Sequence, residues 1–241
     1  MDQVEHNQDN KTHWEDMGGD YSNVWRPLAK QYMSRGELQF VCDSLHGKDL
    51  VVLDVGVGNG RIIEAMVNDS HVEAVYGVDI AKKMVDYCKK KWQGNKKIKA
   101  LEVCDAANQA LPFSQSFSTI SSVRVLKYNE SWKGVVATLA DKLVSGGSLV
   151  FSMPNRVSLN IFSTYAIAAH KSSRKELRKV ADELGLEVVR LSTFTRVPDV
   201  LYEISKASVY QRLIIGAEKA LALVLGPSLF GRELFIELRR K

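Results

Sequence analysis

The sequence predicts an α/β protein built around a doubly wound parallel sheet, and two patterns support this prediction. Short apolar, β-branched runs alternate along the chain with segments whose apolar residues recur every three or four positions. The run at residues 50–55 ends in a glycine-rich turn, and a helical pattern begins near Arg61. This succession is typical of a buried parallel strand that feeds a helix. A chain of 241 residues is long enough for one domain with a sizeable core.

Composition narrows the class of protein. Hydrophobic residues make up 45% and charged residues 25% of the chain, as in a globular protein. Cys42, Cys88 and Cys104 have no metal-ligand spacing, so we expect a reduced, cytoplasmic protein without structural zinc. The sequence shows no signal peptide and no apolar run long enough to span a bilayer. The lysine-rich segment at residues 82–99 is either a solvated helix face or a surface for an anionic partner.

The glycine-rich turn carries the most informative motif. Asp54, Gly56, Gly58 and Gly60 form the pattern D-x-G-x-G-x-G, and Arg61 stands where a dinucleotide-binding loop would need another glycine. Glycines without a Cβ let the backbone turn sharply and approach a ligand closely. This motif resembles the first motif of the class I S-adenosylmethionine (SAM)-dependent methyltransferases, in particular those that act on small molecules.

The resemblance implies an architecture. It predicts a Rossmann-like sheet of seven strands in the order 3-2-1-4-5-7-6. It also predicts a helical cap at residues 1–49 and a SAM-binding core at 50–241, with a helical insertion at 197–230 before the last strand. The family normally has a short connection at that place. Three alternatives are open for the apolar insertion: a lid over the substrate, a homodimer face, or an interfacial membrane contact for a lipid-linked substrate.

Two acids mark the expected cofactor site. Asp79 ends the second strand about twenty residues beyond the glycine loop, where a nucleotide site places a carboxylate for ribose hydroxyls. The resemblance gives Asp105, at the end of the third strand, the adenine amino group. A helix cap for Asp79 and a loop cap for Asp105 are the alternatives. SAM is the implied cofactor, S-adenosylhomocysteine (SAH) the product, and no metal is expected. The implied cofactor-binding residues are Asp54, Gly56, Gly58, Gly60, Asp79, Ile80, Met84, Asp105, Ala106, Val123 and Tyr21.

The acceptor side is defined less sharply by the sequence. Polar and aromatic residues near the carboxyl ends of the later strands and in the cap are predicted to bind substrate: Trp25, Arg124, Lys127, Asn155 and Arg196. His170 is the predicted catalytic base, with His13 as the second choice, and a structural or hydroxyl-binding histidine is the alternative. Tyr128, after the fourth strand, is the other candidate for catalysis.

Together these features predict methyl transfer to an oxygen or nitrogen of a small molecule, apolar or lipid-linked, by in-line displacement. A general base would assist an alcohol or phenol. The alternatives are an RNA methyltransferase, suggested by the pI of about 9.0, and a non-catalytic SAM-binding scaffold. RNA is disfavoured because no RNA-binding appendage is recognisable. DNA is not expected, because the Asp/Asn-Pro-Pro-Tyr/Phe motif is absent. The expected location is cytoplasmic, with peripheral membrane contact as the alternative.

Overall fold

A seven-stranded sheet forms the centre of the protein in the computed structural model, which describes residues 11–17, 25–160 and 169–241. The strands run in the order β3-β2-β1-β4-β5-β7-β6, which confirms the predicted topology. The last strand, β7, is antiparallel to β5 and β6, and the other pairs are parallel. In chain order the strands are β1 (Leu50–Val55), β2 (Val72–Asp79), β3 (Ile98–Val103), β4 (Phe117–Ser122), β5 (Leu143–Pro154), β6 (Leu186–Phe194) and β7 (Glu233–Arg240).

Helices cover both faces of this sheet. Numbered along the described chain, they are α1 (residues 11–17), α2 (Leu28–Cys42), α3 (Arg61–Asn68), α4 (Lys82–Lys91), α5 (Trp132–Asp141), α6 (Arg174–Glu183), α7 (Val200–Glu203) and α8 (Ser208–Leu225). A short 3₁₀ helix, Leu126–Tyr128, follows β4. The helices from α2 to α4 enclose one apolar core, while α5 and α6 enclose the other.

The central strands are buried on both faces, which explains why their sequences lack an alternating pattern. Parallel strands bring their carboxyl ends to the same edge of the sheet, and β1 to β4 do so here. The acids and glycines that end these strands are thereby brought together along that edge.

The predicted insertion at residues 197–230 forms α7 and α8, and it packs on α2. A third apolar cluster joins Ala29 and Met33 of α2 to Tyr202 and Ile214. Gln211 ties the same elements together, because its side chain accepts from the Ala29 amide and donates to the Tyr202 carbonyl. The division of the chain at residue 49 stays a prediction; α2 itself contributes to the core under the sheet.

Candidate active site

The glycine loop after β1 forms a close-fitting cradle. The Gly56 amide donates to the Val78 carbonyl over 2.7 Å, which fixes the loop against the end of β2. Gly56 has φ 83° and Gly58 has φ 50°, a region that side-chain-bearing residues rarely adopt. A Cβ on Gly56 would also collide with the side chain of Val125. Glycine at position 56 is therefore required by both backbone conformation and space.

Asp79 lies directly beside this cradle. Its carboxylate accepts hydrogen bonds from the Gly58 amide at 2.8 Å and from the Ala81 amide at 2.9 Å. Burial raises the pKa of Asp79, and the bonds from Ala81 and Gly58 act in the opposite direction. Each carboxylate oxygen can accept a further hydrogen bond, so Asp79 can hold the loop and bind ligand hydroxyls at once. The helix-cap and ligand-binding alternatives are thus compatible.

One cavity opens at this edge of the sheet, and most of the predicted cofactor residues line it. They are Gly56, Gly58, Asp79, Ile80, Met84, Asp105, Ala106 and Val123. The tertiary structure adds wall residues that the sequence analysis did not select, among them Trp14, Asn59, Arg61, Val125 and Asn129. An apolar wall with two carboxylates at its edge suits a nucleoside ligand.

Two of the predicted cofactor residues that the structure describes are not in the lining of this cavity. Asp54 lies behind the loop, where one of its oxygens accepts from the Ser121 hydroxyl at 2.6 Å. Its other oxygen has no hydrogen-bond partner among the described residues, and burial raises the pKa of Asp54 to about 7. Gly60 is the N-cap of α3, where an added Cβ would meet the Trp92 ring, and its contact with the cofactor stays a prediction. Tyr21 lies outside the described residues.

Asp105 faces the cavity and also caps its own turn. One oxygen accepts from the Ala107 amide at 3.1 Å, and the other accepts from the Asn108 side chain at 2.7 Å. The side chain is half-buried. The loop cap is therefore present and fixes the carboxylate at the cavity wall, while the contact with adenine stays a prediction.

The N-terminal helix α1 lies beside this cavity and caps the start of helix α4. The carboxylate of Glu15 accepts from the Lys82 amide at 2.6 Å and from the Lys83 amide at 3.2 Å. An acid at this position satisfies free amides and complements the helix dipole. The cap holds Trp14 at the cavity, with its ring centre 5.6 Å from that of Tyr128. The sequence did not point to Trp14, because no local pattern links Glu15 to a helix so far along the chain.

A buried ionic cluster adjoins the cavity on the side of α2. Glu37, which is fully buried, binds Arg61 at 2.8 Å and also pairs with Arg124. Both guanidinium groups lie over the Trp25 ring, with their carbons 4.2 and 5.3 Å from its centre. Arg124 is half-buried and lines the cavity, as does Arg61. Glu37 was missed from the sequence because an acid within a helix normally faces solvent.

Three predicted substrate-binding residues are placed elsewhere. Lys127 is buried and its ammonium lies 2.6 Å from Glu233; burial lowers its pKa to about 8, against the attraction of Glu233. Arg196 pairs with Glu218 at 3.6 Å inside the insertion. Asn155 donates to the Val157 and Gly231 carbonyls. None of the three lines the cofactor cavity, because their buried polar groups have taken protein partners, and their binding of substrate stays a prediction.

The two catalytic candidates separate in the structure. Tyr128 lines the cavity, in the 3₁₀ helix after β4. His170 is not among the residues that line it; its amide donates to the Lys127 carbonyl, and the residue is half-buried. The role of His170 as a base stays a prediction. Among the described residues, no group of His, Cys, Asp or Glu side chains has the arrangement of a metal site.

Comparisons with known proteins agree with this geometry. Residues 53–151 match the family of the Methyltransferase domain. A mitochondrial ubiquinone biosynthesis O-methyltransferase from Candida albicans is 29% identical over 141 residues, which cover 58% of this chain. The match covers 41% of that enzyme, so this chain spans about two fifths of the length of the curated relative.

Solved structures share the whole fold at low sequence identity. The SAM-bound magnesium protoporphyrin IX methyltransferase from Synechocystis PCC 6803 is 16% identical, with a TM-score of 0.62, and the match covers 100% of this chain and 98% of that one. An N-methyltransferase from Bradyrhizobium japonicum with bound SAH is 14% identical, with a TM-score of 0.63 and coverage of 95% and 97%.

The match over residues 53–151 and the shared fold agree with the resemblance to class I SAM-dependent methyltransferases predicted from the glycine motif. This region of the chain matches a methyltransferase domain, and the similar structure from Synechocystis contains bound SAM.

Proposed function

We propose that this protein transfers the methyl group of SAM to an oxygen or nitrogen atom of a small, largely apolar acceptor. The observation that carries the proposal is a single cavity that combines the glycine cradle, the buried Asp79 carboxylate and the rings of Trp14 and Tyr128. A small-molecule acceptor is further supported by the similarity to an O-methyltransferase.

The cavity residues fit SAM. Asp79 has acceptor capacity for the ribose hydroxyls, and Ile80 and Met84 offer apolar surface for the adenine ring. Glycine at position 56 lets the loop pack directly against the Val125 side chain in the cavity wall. When bound, SAM supplies a methyl group on a positively charged sulfur that a nucleophile can displace. The protein's task is then alignment, which can supply roughly 7–11 kcal/mol of the barrier.

The acceptor is proposed to bind between the cofactor pocket and the aromatic pair Trp14–Tyr128. These rings, with Val125 and Leu126 beside them, form an apolar wall suited to a ring-shaped molecule. The Tyr128 hydroxyl is the polar group proposed to orient the acceptor atom by a hydrogen bond. Arg124 is held by Glu37 at the rim, so it contributes positive charge there without freedom to move.

Cofactor binding is the first test. We expect SAH to bind the wild-type protein in calorimetric titration and to bind Asp79→Asn at least tenfold more weakly, because the amide accepts fewer hydrogen bonds than the carboxylate. Asp86→Asn is the matched control, since Asp86 is an exposed acid on the adjacent helix α4. Equal SAH affinity in wild type and Asp79→Asn would remove Asp79 from the proposed site.

The acceptor class requires a turnover assay. Wild-type protein and Tyr128→Phe should be supplied with SAM and with matched ring compounds that bear a phenol or an amine, while SAH formation is followed. We expect turnover with at least one of these acceptors and a lower kcat in Tyr128→Phe with unchanged SAH affinity. SAH binding without turnover across the panel would favour the scaffold alternative.

A further inference from the structure

The surface of α8 carries an apolar stripe that the fold leaves uncovered. Along one side of the helix, residues at helical spacing are exposed, with small residues between them: Val209, Leu213, Gly216, Ala217, Ala220, Leu223 and Val224. Val209 is 71%, Leu213 67%, Leu223 87% and Val224 80% exposed. We call these residues the α8 stripe. Val200 and Ile204 extend the exposed apolar surface onto α7. A continuous patch of this kind marks an interaction site.

The stripe has no contact with the cofactor cavity. No described residue of the insertion lines that cavity, and the opposite face of α8 is fixed to α2 through Ile214 and Gln211. The buried Glu218 secures the insertion further, because it accepts from the Arg196 and Val197 amides and from the Tyr202 hydroxyl. The stripe is therefore an outward face of a well-anchored helix rather than the inner surface of a lid.

The charges around the stripe have one sign. Between residues 204 and 230 the sequence contains Lys206, Arg212 and Lys219, all exposed, and the single acid Glu218, which is buried. A two-fold contact between copies would bring each protomer's basic residues toward those of its partner, which is unfavourable. An anionic lipid surface instead attracts these bases while it accepts the apolar side chains between them.

A basic cavity lies where the chain leaves α8. Four exposed bases of α6 line it together with the loop after α8: Arg174, Lys175, Arg178 and Lys179. Asp182 is the acid in its wall, and Leu229 and Phe230 form an apolar part. The Arg174 guanidinium donates to the Ser228 hydroxyl at 3.1 Å, so the cavity is joined to the segment four residues beyond Val224. Lipid phosphates beside an inserted stripe would meet these bases.

We propose that the α8 stripe and the basic cavity together form a docking surface for the face of an anionic phospholipid bilayer. The stripe lies in the interface, and the bases of α6 and α8 contact lipid headgroups. Among the described residues no helix is long and apolar enough to cross a bilayer, so the contact is with one leaflet. Because α8 packs on α2, which holds Arg61 and Arg124 through Glu37, docking fixes the cofactor cavity near the membrane.

Vesicle co-sedimentation of the full chain tests this surface. We expect binding to vesicles of phosphatidylcholine with phosphatidylglycerol, weaker binding to phosphatidylcholine alone, and a loss of the difference at high salt. The variant Leu213→Gln/Leu223→Gln/Val224→Gln should bind anionic vesicles at least tenfold more weakly. Val144→Gln, another exposed apolar position, should bind as wild type does.

Charge-reversal variants distinguish binding by the basic cavity from a general effect of the protein's net charge. Lys175→Glu/Arg178→Glu should lose the preference for anionic vesicles, whereas Lys90→Glu/Lys96→Glu, which changes the net charge equally at another exposed site, should keep it. Equal losses in both pairs would overturn the proposed site. Binding of the triple stripe variant at the wild-type level would overturn it too, as would a wild-type dimer that the triple variant abolishes without any vesicle binding.

SAH titration of every variant shows that it is folded. None of the changed positions lines the cofactor cavity, so SAH affinity should be that of the wild type. This control also separates the two proposals, since vesicle binding does not depend on turnover and SAH binding does not depend on vesicles.

Discussion

Buried acids have different partners in two neighbouring regions of the protein. One region is the cofactor edge of the sheet, and the other is the ionic cluster formed by α2, β7 and the 3₁₀ helix. At the cofactor edge, Asp79 is held by the backbone amides of Gly58 in the loop and of Ala81, the residue before α4. In the adjoining cluster, Glu37 and Glu233 are held by arginine and lysine side chains from distant parts of the chain. Local backbone contacts leave a sequence motif, and long-range side-chain pairs do not.

This contrast explains why two residues that were predicted to bind substrate lie in buried ion pairs instead. Lys127 and Arg196 were predicted to bind substrate, yet both are buried against acids. A buried charge without a partner is very costly, so each basic residue takes an acid that the fold brings near. The attraction of Arg124 and Lys127 outweighs burial and lowers the pKa of Glu233 to about 2.

The largest loss of stability is expected from a substitution in the buried ionic cluster. Glu37→Gln removes the buried carboxylate that pairs with both Arg61 and Arg124, and we expect a loss of about 3–5 kcal/mol in the free energy of unfolding. Glu64→Gln is the control, because its pair with Lys91 is at the surface and should contribute about 1 kcal/mol or less. Urea denaturation measures both. A loss at Glu37 no greater than at Glu64 would contradict the contrast between the two regions.

A smaller loss of stability is expected from a substitution in the glycine loop at the cofactor edge. Gly56→Ala combines a left-handed backbone, which costs about 1–2 kcal/mol, with a collision against Val125 that costs about 1–3 kcal/mol. Gly94→Ala shares the positive φ but meets open space, so it isolates the backbone cost. Only Gly56→Ala should also weaken SAH binding. Similar losses of stability in both variants, with SAH affinity retained, would mean that the close approach of the loop has no role.

The smallest change in stability is expected for a substitution of Asp54, and it depends on pH. Burial raises its pKa to about 7, so the folded state binds a proton that the unfolded state releases, and this group makes the protein less stable as pH rises toward 7. Asp54→Asn cannot ionise. We expect its stability relative to wild type to increase by about 1–3 kcal/mol between pH 5 and pH 8. Thermal or urea unfolding at both pH values measures the change, and a constant difference would show that Asp54 does not titrate there.

The sequence alone determined the sheet and its cofactor edge. The strand order was implied by the resemblance that the glycine motif carries. The glycine cradle and the positions of Asp79 and Asp105 at the cavity follow from short local patterns, in which apolar runs, turns and acids succeed one another. The physical reason is that parallel strands gather their carboxyl ends at one edge, so a motif at a strand's end is placed by topology.

The arrangement of residues on the acceptor side of the cavity could be found only from the tertiary structure. The Glu15 cap that holds Trp14 at the cavity, the Glu37 cluster beneath Trp25, and the uncovered α8 stripe all depend on contacts between elements far apart in sequence. A basic or apolar side chain has the same local signature whether it faces a ligand, an acid or solvent. The partner that meets it is set by the packing of α1, α2 and α8 around the sheet, and no local pattern encodes that packing.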